Sequence, residues 1–411
     1  MAYTTWTSSY AGYVLWKSGL PLSKHPFQRQ AGQGGNQAEN GTKGAAADLE
    51  QLWREIDAQM PGDFSKALFS EVQNRLSALL RGVEAYRVHP YRRQLPDPPV
   101  CWREGSARML DYGAGVAGAD GTPVLIVPSL VNRSYILDLT EQRSLTRWLA
   151  RQGFRPYLLD WGAPDESERS FSLTDYVAGY LKRALDCLLQ QTAGRPPVMM
   201  GYCMGGLLAL ALAQRRQKDI AGLALLATPW DFHAAGGRAS ADQLALAIEA
   251  YLPLASQLGS LPVDALQSLF ACLDPMAVTR KFLGFSKFDP AGKAARNFVA
   301  LEDWINDGVP LAAPVARECL EAWYLQNRPA RNAWKIAGRA IVPGELDLPC
   351  LGVVPLQDRI VPPASAMALC GALNSVEVIR PRSGHIGMVV GQRAARELWE
   401  PLGRWLKDLK S

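Results

Sequence analysis

Histidine is scarce in this chain, with four in 411 residues: His25, His89, His233 and His385. Any mechanism that needs an imidazole base must choose among them. Long apolar runs are missing as well. No stretch reaches 18 apolar residues, so no transmembrane helix is expected. The opening M-A-Y-T-T-W-T-S-S-Y lacks a basic region followed by a continuous apolar core, so no secretory signal is read there. The seven cysteines are scattered and odd in number, and none forms a C-x-x-C pair. That argues against a disulfide framework and a zinc module and for a reducing cytoplasm. Strong charge of either sign is absent too. A net +5 could draw an anionic substrate but gives no indication of nucleic acid. No metal and no bound organic cofactor is implied.

What is present is an ordinary soluble-enzyme balance of 48% hydrophobic and 20% charged residues. The length suits one large domain with an insertion, or two domains. One stretch organises the rest: V-M-M-G-Y-C-M-G-G-L-L-A-L-A-L-A-Q at 198–214. An apolar strand-type run ends at Gly201-Tyr202, Cys203 follows, and an Ala/Leu helix former begins after Met204-Gly205-Gly206. Strand, tight turn and helix with a nucleophilic residue between glycines is a nucleophile elbow. The turn lifts the Cys203 side chain off the strand end. The Met204 amide and the helix N-terminus then face a developing oxyanion. A thiolate so placed has a lowered pKa and attacks thioesters and esters.

Taken in order, residues 1–100 read as an N-terminal arm with helices. Within it, 30–45 is Gly/Gln/Asn/Ala-rich and linker-like, 10–20 is an apolar arm segment, and 48–60 and 64–86 are helical. Leu68, Val72, Leu76, Leu79, Leu80 and Val83 stripe the second helix, with Asp63 as its cap. His89 falls in the Pro-rich punctuation that follows and reads as structural. A strand pattern begins near Cys101-Trp102 and continues at 107–112. Continuously apolar strands at 123–128, 155–160, 197–202 and 220–228 then alternate with helices at 144–152 and 173–190 and the helix after the elbow. That rhythm implies a parallel sheet covered on both faces. It stops at Pro229. Helices at 241–258, 262–273, 294–307 and 315–326 read as a cap or lid insertion, 231–344, with Trp304, Trp323, Trp334, Phe270, Phe282 and Phe285. Such an apolar cap suits an acyl substrate. The sheet resumes at 350–355 and 376–381, with a helix at 364–373 and a terminal helix at 394–409. The core is therefore 101–230 plus 345–411, an α/β-hydrolase fold.

Cys203, Asp358 and His385 each stand just beyond a strand end, where open parallel sheets build their sites. A lone Asp after a strand is ordinarily a turn residue and a lone His ordinarily structural. Three groups in the order nucleophile, acid, histidine at three strand ends argue for one triad. The 155-residue gap from Cys203 to Asp358 holds one strand and the cap, and the 27 residues to His385 hold one helix and one strand. His385 would take the thiol proton, and Asp358 would orient His385 and stabilise its charged form. The second oxyanion amide falls to the loop after 123–128, at Leu130 or Val131. His233 follows a strand end at the cap entrance.

These residues resemble the polyhydroxyalkanoate synthases over roughly 90–392. The carriers are I-V-P-S-L-V-N-R-S-Y-I-L-D-L (126–139), D-W-G-A-P-D (160–165), L-T-D-Y (173–176), G-Y-C-M-G-G (201–206), D-R-I-V-P-P (358–363) and S-G-H-I-G (383–387). E-D-W (302–304), A-W-Y-L-Q-N (322–327) and I-A-G-R (336–339) look most like the short, class III catalytic subunit. The resemblance implies (R)-3-hydroxyacyl-coenzyme A substrates, with coenzyme A as leaving group. It also implies acyl transfer to Cys203, with Asp358 and His385 activating the thiol and then the 3-hydroxyl of the next unit. It further implies a cytoplasmic protein at polyester granules, with a homodimer or a second synthase subunit both open. Arg359 stands where the family commonly has His, and Asn132-Arg133 where Asn-Lys is usual. A thioesterase or depolymerase with the same triad is the rival enzyme. A non-catalytic granule-associated or regulatory paralogue is the rival outside enzymes.

Overall fold

The structure, a computed structural model, describes residues 51, 54–55, 61–118, 120–234, 238–274 and 276–409. The 10–20 and 30–45 segments, His25 and most of the 48–60 helix lie outside them.

Short, continuously apolar segments make the sheet. Its eight strands are β1 (Val100–Glu104), β2 (Ala107–Asp111), β3 (Pro123–Val127), β4 (Arg155–Asp160), β5 (Val198–Tyr202), β6 (Gly222–Leu226), β7 (Cys350–Val353) and β8 (Val376–Ile379). They lie in the order β1-β2-β4-β3-β5-β6-β7-β8. β1 and β2 form an antiparallel hairpin and β2 runs antiparallel to β4. Every later pairing is parallel. Every residue of β3, β5, β6 and β7 is buried, whereas the edge strands β1 and β8 carry half-buried and exposed positions. Alternate side chains feed two cores. Leu125, Val127, Met199, Leu223 and Leu225 face one, with the helices Lys182–Gln191 and Met204–Arg215. Val124, Ile126, Val198, Met200, Ala224 and Leu226 face the other, with Leu145, Leu149, Leu402 and Leu406.

The helix read at 144–152 is Leu145–Arg151, capped by the Ser144 hydroxyl, which accepts the Arg147 N–H at 3.0 Å. Three segments read as plain helix contain π turns: Asp175–Leu181, Glu318–Leu325 and Ala395–Trp399. The insertion contains Arg238–Leu258, Val263–Leu273 and Lys293–Asn306, close to the expected bounds. It also holds a helix the pattern did not separate, Ala277–Phe285, and a two-residue strand pair, Ser260–Leu261 with Leu311–Ala312. Asp63 is not a cap. The helix runs Pro61–Arg87, and Asp63 lies in its first turn, where its charge complements the helix dipole.

The chain divides into two compact units, one comprising Met1–Pro90 and Met276–Arg296, the other Tyr91–Pro275 and Asn297–Ser411. In the first, Pro61–Arg87 packs on Ala277–Phe285, with Tyr86 edge-on to Phe282 at 5.9 Å. His89 is buried there and donates from Nε2 to the Pro290 carbonyl at 2.9 Å. The second unit contains the sheet and the candidate site.

The elbow demands close approach. A Cβ on Gly205 would run into the carbonyl oxygens of Val127 and Pro128, backbone atoms at the end of β3 that have no rotamer to move. Gly205→Ala is therefore expected to destabilise the fold by at least about 2 kcal/mol through overpacking. Denaturant midpoints measure this, and a midpoint equal to the parent's would contradict the close approach.

Candidate active site

Cys203 joins β5 to the helix Met204–Arg215 with φ 55° and ψ −127°. A non-glycine residue held there costs on the order of 1–3 kcal/mol, which the surroundings must supply. Two hydrogen bonds fix it: the Cys203 N–H donates to the Leu226 carbonyl of β6 at 2.8 Å, and the Gly206 N–H donates to the Cys203 carbonyl at 3.0 Å. The Cys203 side chain is half-buried and packs against both sheet cores and a third apolar group around Val354 and Val361. Met204 opens the helix, so its amide has no acceptor within that helix.

Asp358 follows β7, and both carboxylate oxygens are used. Oδ1 accepts the N–H groups of Ile360 at 2.8 Å and Val361 at 2.9 Å. Oδ2 accepts from Nδ1 of His385 at 2.7 Å. His385 follows β8 and is buried, as is Asp358. The Tyr202 ring lies 5.2 Å from the imidazole, and its hydroxyl donates to the His385 carbonyl at 3.3 Å. Asp358 and His385 are thus joined by a hydrogen bond, and Cys203 bears on the imidazole through its charge. Burial alone would depress the imidazole pKa. Negative charge at Cys203, together with the hydrogen bond to Asp358, overcomes burial and raises it from 6.5 to about 10.

The loop after β3 begins beside the elbow, where the Val127 and Pro128 carbonyls lie against Gly205. The Trp161 indole N–H donates to the Pro128 carbonyl at 3.0 Å. The Val131 N–H donates to Ser129 Oγ at 3.2 Å, and the Val131 carbonyl accepts from Val309 at 3.1 Å. One of the two loop amides expected to face an oxyanion is therefore engaged locally. Leu130 is buried in the core that Met204 shares. Further along, this loop is pinned at the fully buried Asp138, which accepts from Arg93, Arg147 and the Tyr112 hydroxyl.

His233 is exposed. Its N–H donates to Asp231 Oδ1 at 2.9 Å, and Nε2 donates to the Tyr324 carbonyl at 2.9 Å. Arg359, next to Asp358, reaches Asp274 Oδ2 at 2.7 Å. Sequence reasoning gave no role to Tyr202, Ser129 or Asn327. All three stood in motifs quoted above, and the Ser129 contact had no further signal than a hydroxyl two residues before the amide. Among the described residues, no group of three or more His, Cys, Asp or Glu could hold a metal ion, and no helix is long and apolar enough to cross a membrane.

An eight-stranded, mostly parallel sheet with a cysteine on a strained turn after a central strand, and an acid and a histidine after two later strands, defines an α/β hydrolase fold. The alpha/beta hydrolase fold family model matches residues 122–392. Three relatives named poly(3-hydroxyalkanoate) polymerase subunit PhaC match over most of the chain. That of Thiocystis violacea is 31% identical over 302 residues, covering 72% of this chain and 84% of the relative. That of Synechocystis sp. is 32% identical over 299 residues, covering 70% and 78%. That of Haloferax mediterranei is 31% identical over 318 residues, covering 75% of this chain and 63% of the relative's longer one. The chain belongs to the poly(3-hydroxyalkanoate) polymerase family.

Proposed function

We propose that this protein is an acyltransferase that polymerises (R)-3-hydroxyacyl-coenzyme A into polyhydroxyalkanoate through an acyl-enzyme on Cys203. What supports the reading is the buried His385–Asp358 pair, with Cys203 at a helix N-terminus acting on the imidazole through its charge, in a member of this family. The Cys203 sulfur attacks the thioester carbonyl. The Met204 and Leu130 amides hold the oxyanion; Leu130 is preferred because Val131 already donates to Ser129. The C–S bond to coenzyme A breaks, and His385 gives its proton to the departing thiol. The 3-hydroxyl of a further unit then attacks the acyl-enzyme. His385 accepts the hydroxyl proton and passes it to the Cys203 sulfur as the new ester forms. Asp358 keeps Nδ1 protonated throughout and favours the imidazolium. The parts of the insertion that belong to the second unit supply Phe232, Trp323 and Tyr324 as an apolar wall that limits water at the acyl-enzyme. The protein works in the cytoplasm at the polyester surface, alone, as a homodimer or with a second synthase subunit, and needs no cofactor beyond the coenzyme A of its substrate.

An acyl-CoA that lacks the 3-hydroxyl can acylate the enzyme but cannot extend a chain. Butyryl-coenzyme A is therefore expected to leave a butyryl mass increment on the Cys203 peptide. Coenzyme A release with the increment on another residue would contradict Cys203 as the acyl carrier.

A further inference from the structure

The loop after β3 is held at nearly every peptide unit but one. At its start, the indole N–H of the buried Trp161, just beyond β4, donates to the Pro128 carbonyl at 3.0 Å. The Ser129 hydroxyl accepts the Val131 N–H at 3.2 Å. The Val131 carbonyl accepts the Val309 N–H at 3.1 Å, and Asn132 forms an antiparallel bridge with Gly308. At its end, the indole N–H of the buried Trp304 donates to the Arg133 carbonyl at 2.7 Å. Arg133 Nε also meets Asp307 Oδ1 at 3.4 Å. Trp304 and Val309 belong to the insertion and, like the loop, to the second unit.

These bonds fix the peptide units that join 128 to 129, 130 to 131, 131 to 132 and 133 to 134. The unit that joins Ser129 to Leu130 lies between two of them. Leu130 is buried, yet its N–H has no hydrogen-bond partner among the described residues. Buried amides are nearly always paired, so an open one calls for a ligand or another explanation. Peptide planarity means that holding the units on both sides restricts how far this N–H can turn. The Pro128 carbonyl, two residues earlier, lies against Gly205, two residues after Cys203. The open donor therefore belongs to a clamped loop that starts at the elbow.

We propose that Trp161 and Trp304 are positioning residues: two indoles that clamp the ends of the 128–133 loop and so hold the Leu130 N–H ready for the oxyanion. The inference rests on the reading of Cys203 as acyl carrier and of Leu130 as oxyanion donor. Each indole acts through the backbone and not on the substrate. A donor that is already aimed needs no reorganisation when negative charge develops on the thioester oxygen, and its bond then counts fully in the transition state.

The test makes Trp161→Phe and Trp304→Phe separately in the full-length protein. Phenylalanine keeps an aromatic ring in each place and removes the N–H. Trp399→Phe is the matched control. Its indole N–H donates to the Val389 carbonyl at 3.0 Å, outside the loop, and Trp399 and Trp304 are both 6% exposed. The readouts are kcat and KM for (R)-3-hydroxybutyryl-coenzyme A and the rate of Cys203 alkylation by iodoacetamide. Alkylation is a displacement at a saturated carbon and builds no oxyanion. Each indole variant is expected to lose about 10- to 100-fold in kcat, with little change in KM and the parent's alkylation rate. Trp399→Phe is expected to lose melting temperature as they do and to keep the parent's kcat. The two substitutions are independent, so one that fails to fold leaves the other to decide. Parent kcat in a folded indole variant would overturn the inference, as would an equal kcat loss in Trp399→Phe. Alkylation that falls in step with kcat would also overturn it, because the damage would then lie at Cys203. Parent turnover by Cys203→Ala would instead remove the acyl-carrier reading, a failure distinct from these.

Discussion

Cys203→Ala is expected to reduce coenzyme A release from (R)-3-hydroxybutyryl-coenzyme A by at least about 10⁴-fold, because no other group can carry the acyl unit. The fold should survive. Alanine keeps the same backbone hydrogen bonds to Leu226 and from Gly206 and meets the same positive φ. A second consequence is specific to the site. Burial pulls the His385 pKa down, and negative charge at Cys203 is the largest effect opposing it. Without the sulfur, the His385 pKa should fall from about 10, and the imidazole should lose its proton at lower pH. NMR titration of His385 in the two proteins measures this directly. An unchanged titration would mean that Cys203 and His385 are not coupled.

The second large effect is expected at Asp358→Asn. The amide Oδ1 can still accept from the Ile360 and Val361 amides, so the loop should keep its shape. What is lost is the acceptor for His385 Nδ1 at 2.7 Å and the negative charge beside the ring. The Nδ2 donor that replaces it favours the wrong imidazole tautomer. A loss of about 10²–10⁴-fold in kcat is expected on that ground. The pH profile should move in a defined direction. The carboxylate stabilises the protonated imidazole, so its removal lowers the His385 pKa, and the alkaline limb of kcat should shift to lower pH. The weaker imidazolium also stabilises the thiolate less, so Cys203 alkylation near neutral pH should slow. A variant with parent kcat and parent pH limits would remove Asp358 from the mechanism.

The sheet and the order of the site residues were legible in the sequence for a common physical reason. β3, β5, β6 and β7 are buried on both faces, so each is a continuous apolar run that stops where its functional loop begins. Cys203 and Asp358 follow two of those strands, His385 follows the edge strand β8, and glycines around Cys203 mark the close approach to β3. Features without a local compositional mark were not legible. The π turns Asp175–Leu181 and Glu318–Leu325 differ from α-helix by one inserted residue, which leaves the hydrophobic pattern nearly unchanged. The strand pair Ser260–Leu261 with Leu311–Ala312 is too short for any periodicity and joins segments some fifty positions apart. The Val131 amide was assigned without regard to the Ser129 hydroxyl, which captures it from two residues away. Asn327 meets Asp231 and Phe232 across more than ninety residues, a contact that only the folded chain creates.

The most direct test of the central claim is product analysis. The parent protein and Cys203→Ala are incubated with (R)-3-hydroxybutyryl-coenzyme A, with and without a candidate second synthase subunit, and the products are separated by mass. Coenzyme A release together with oligomeric or insoluble polyester, from the parent alone, is the predicted result. Coenzyme A release with only free 3-hydroxybutyrate would contradict polymerisation and identify a thioesterase, and equal turnover by both proteins would contradict Cys203 as the acyl carrier.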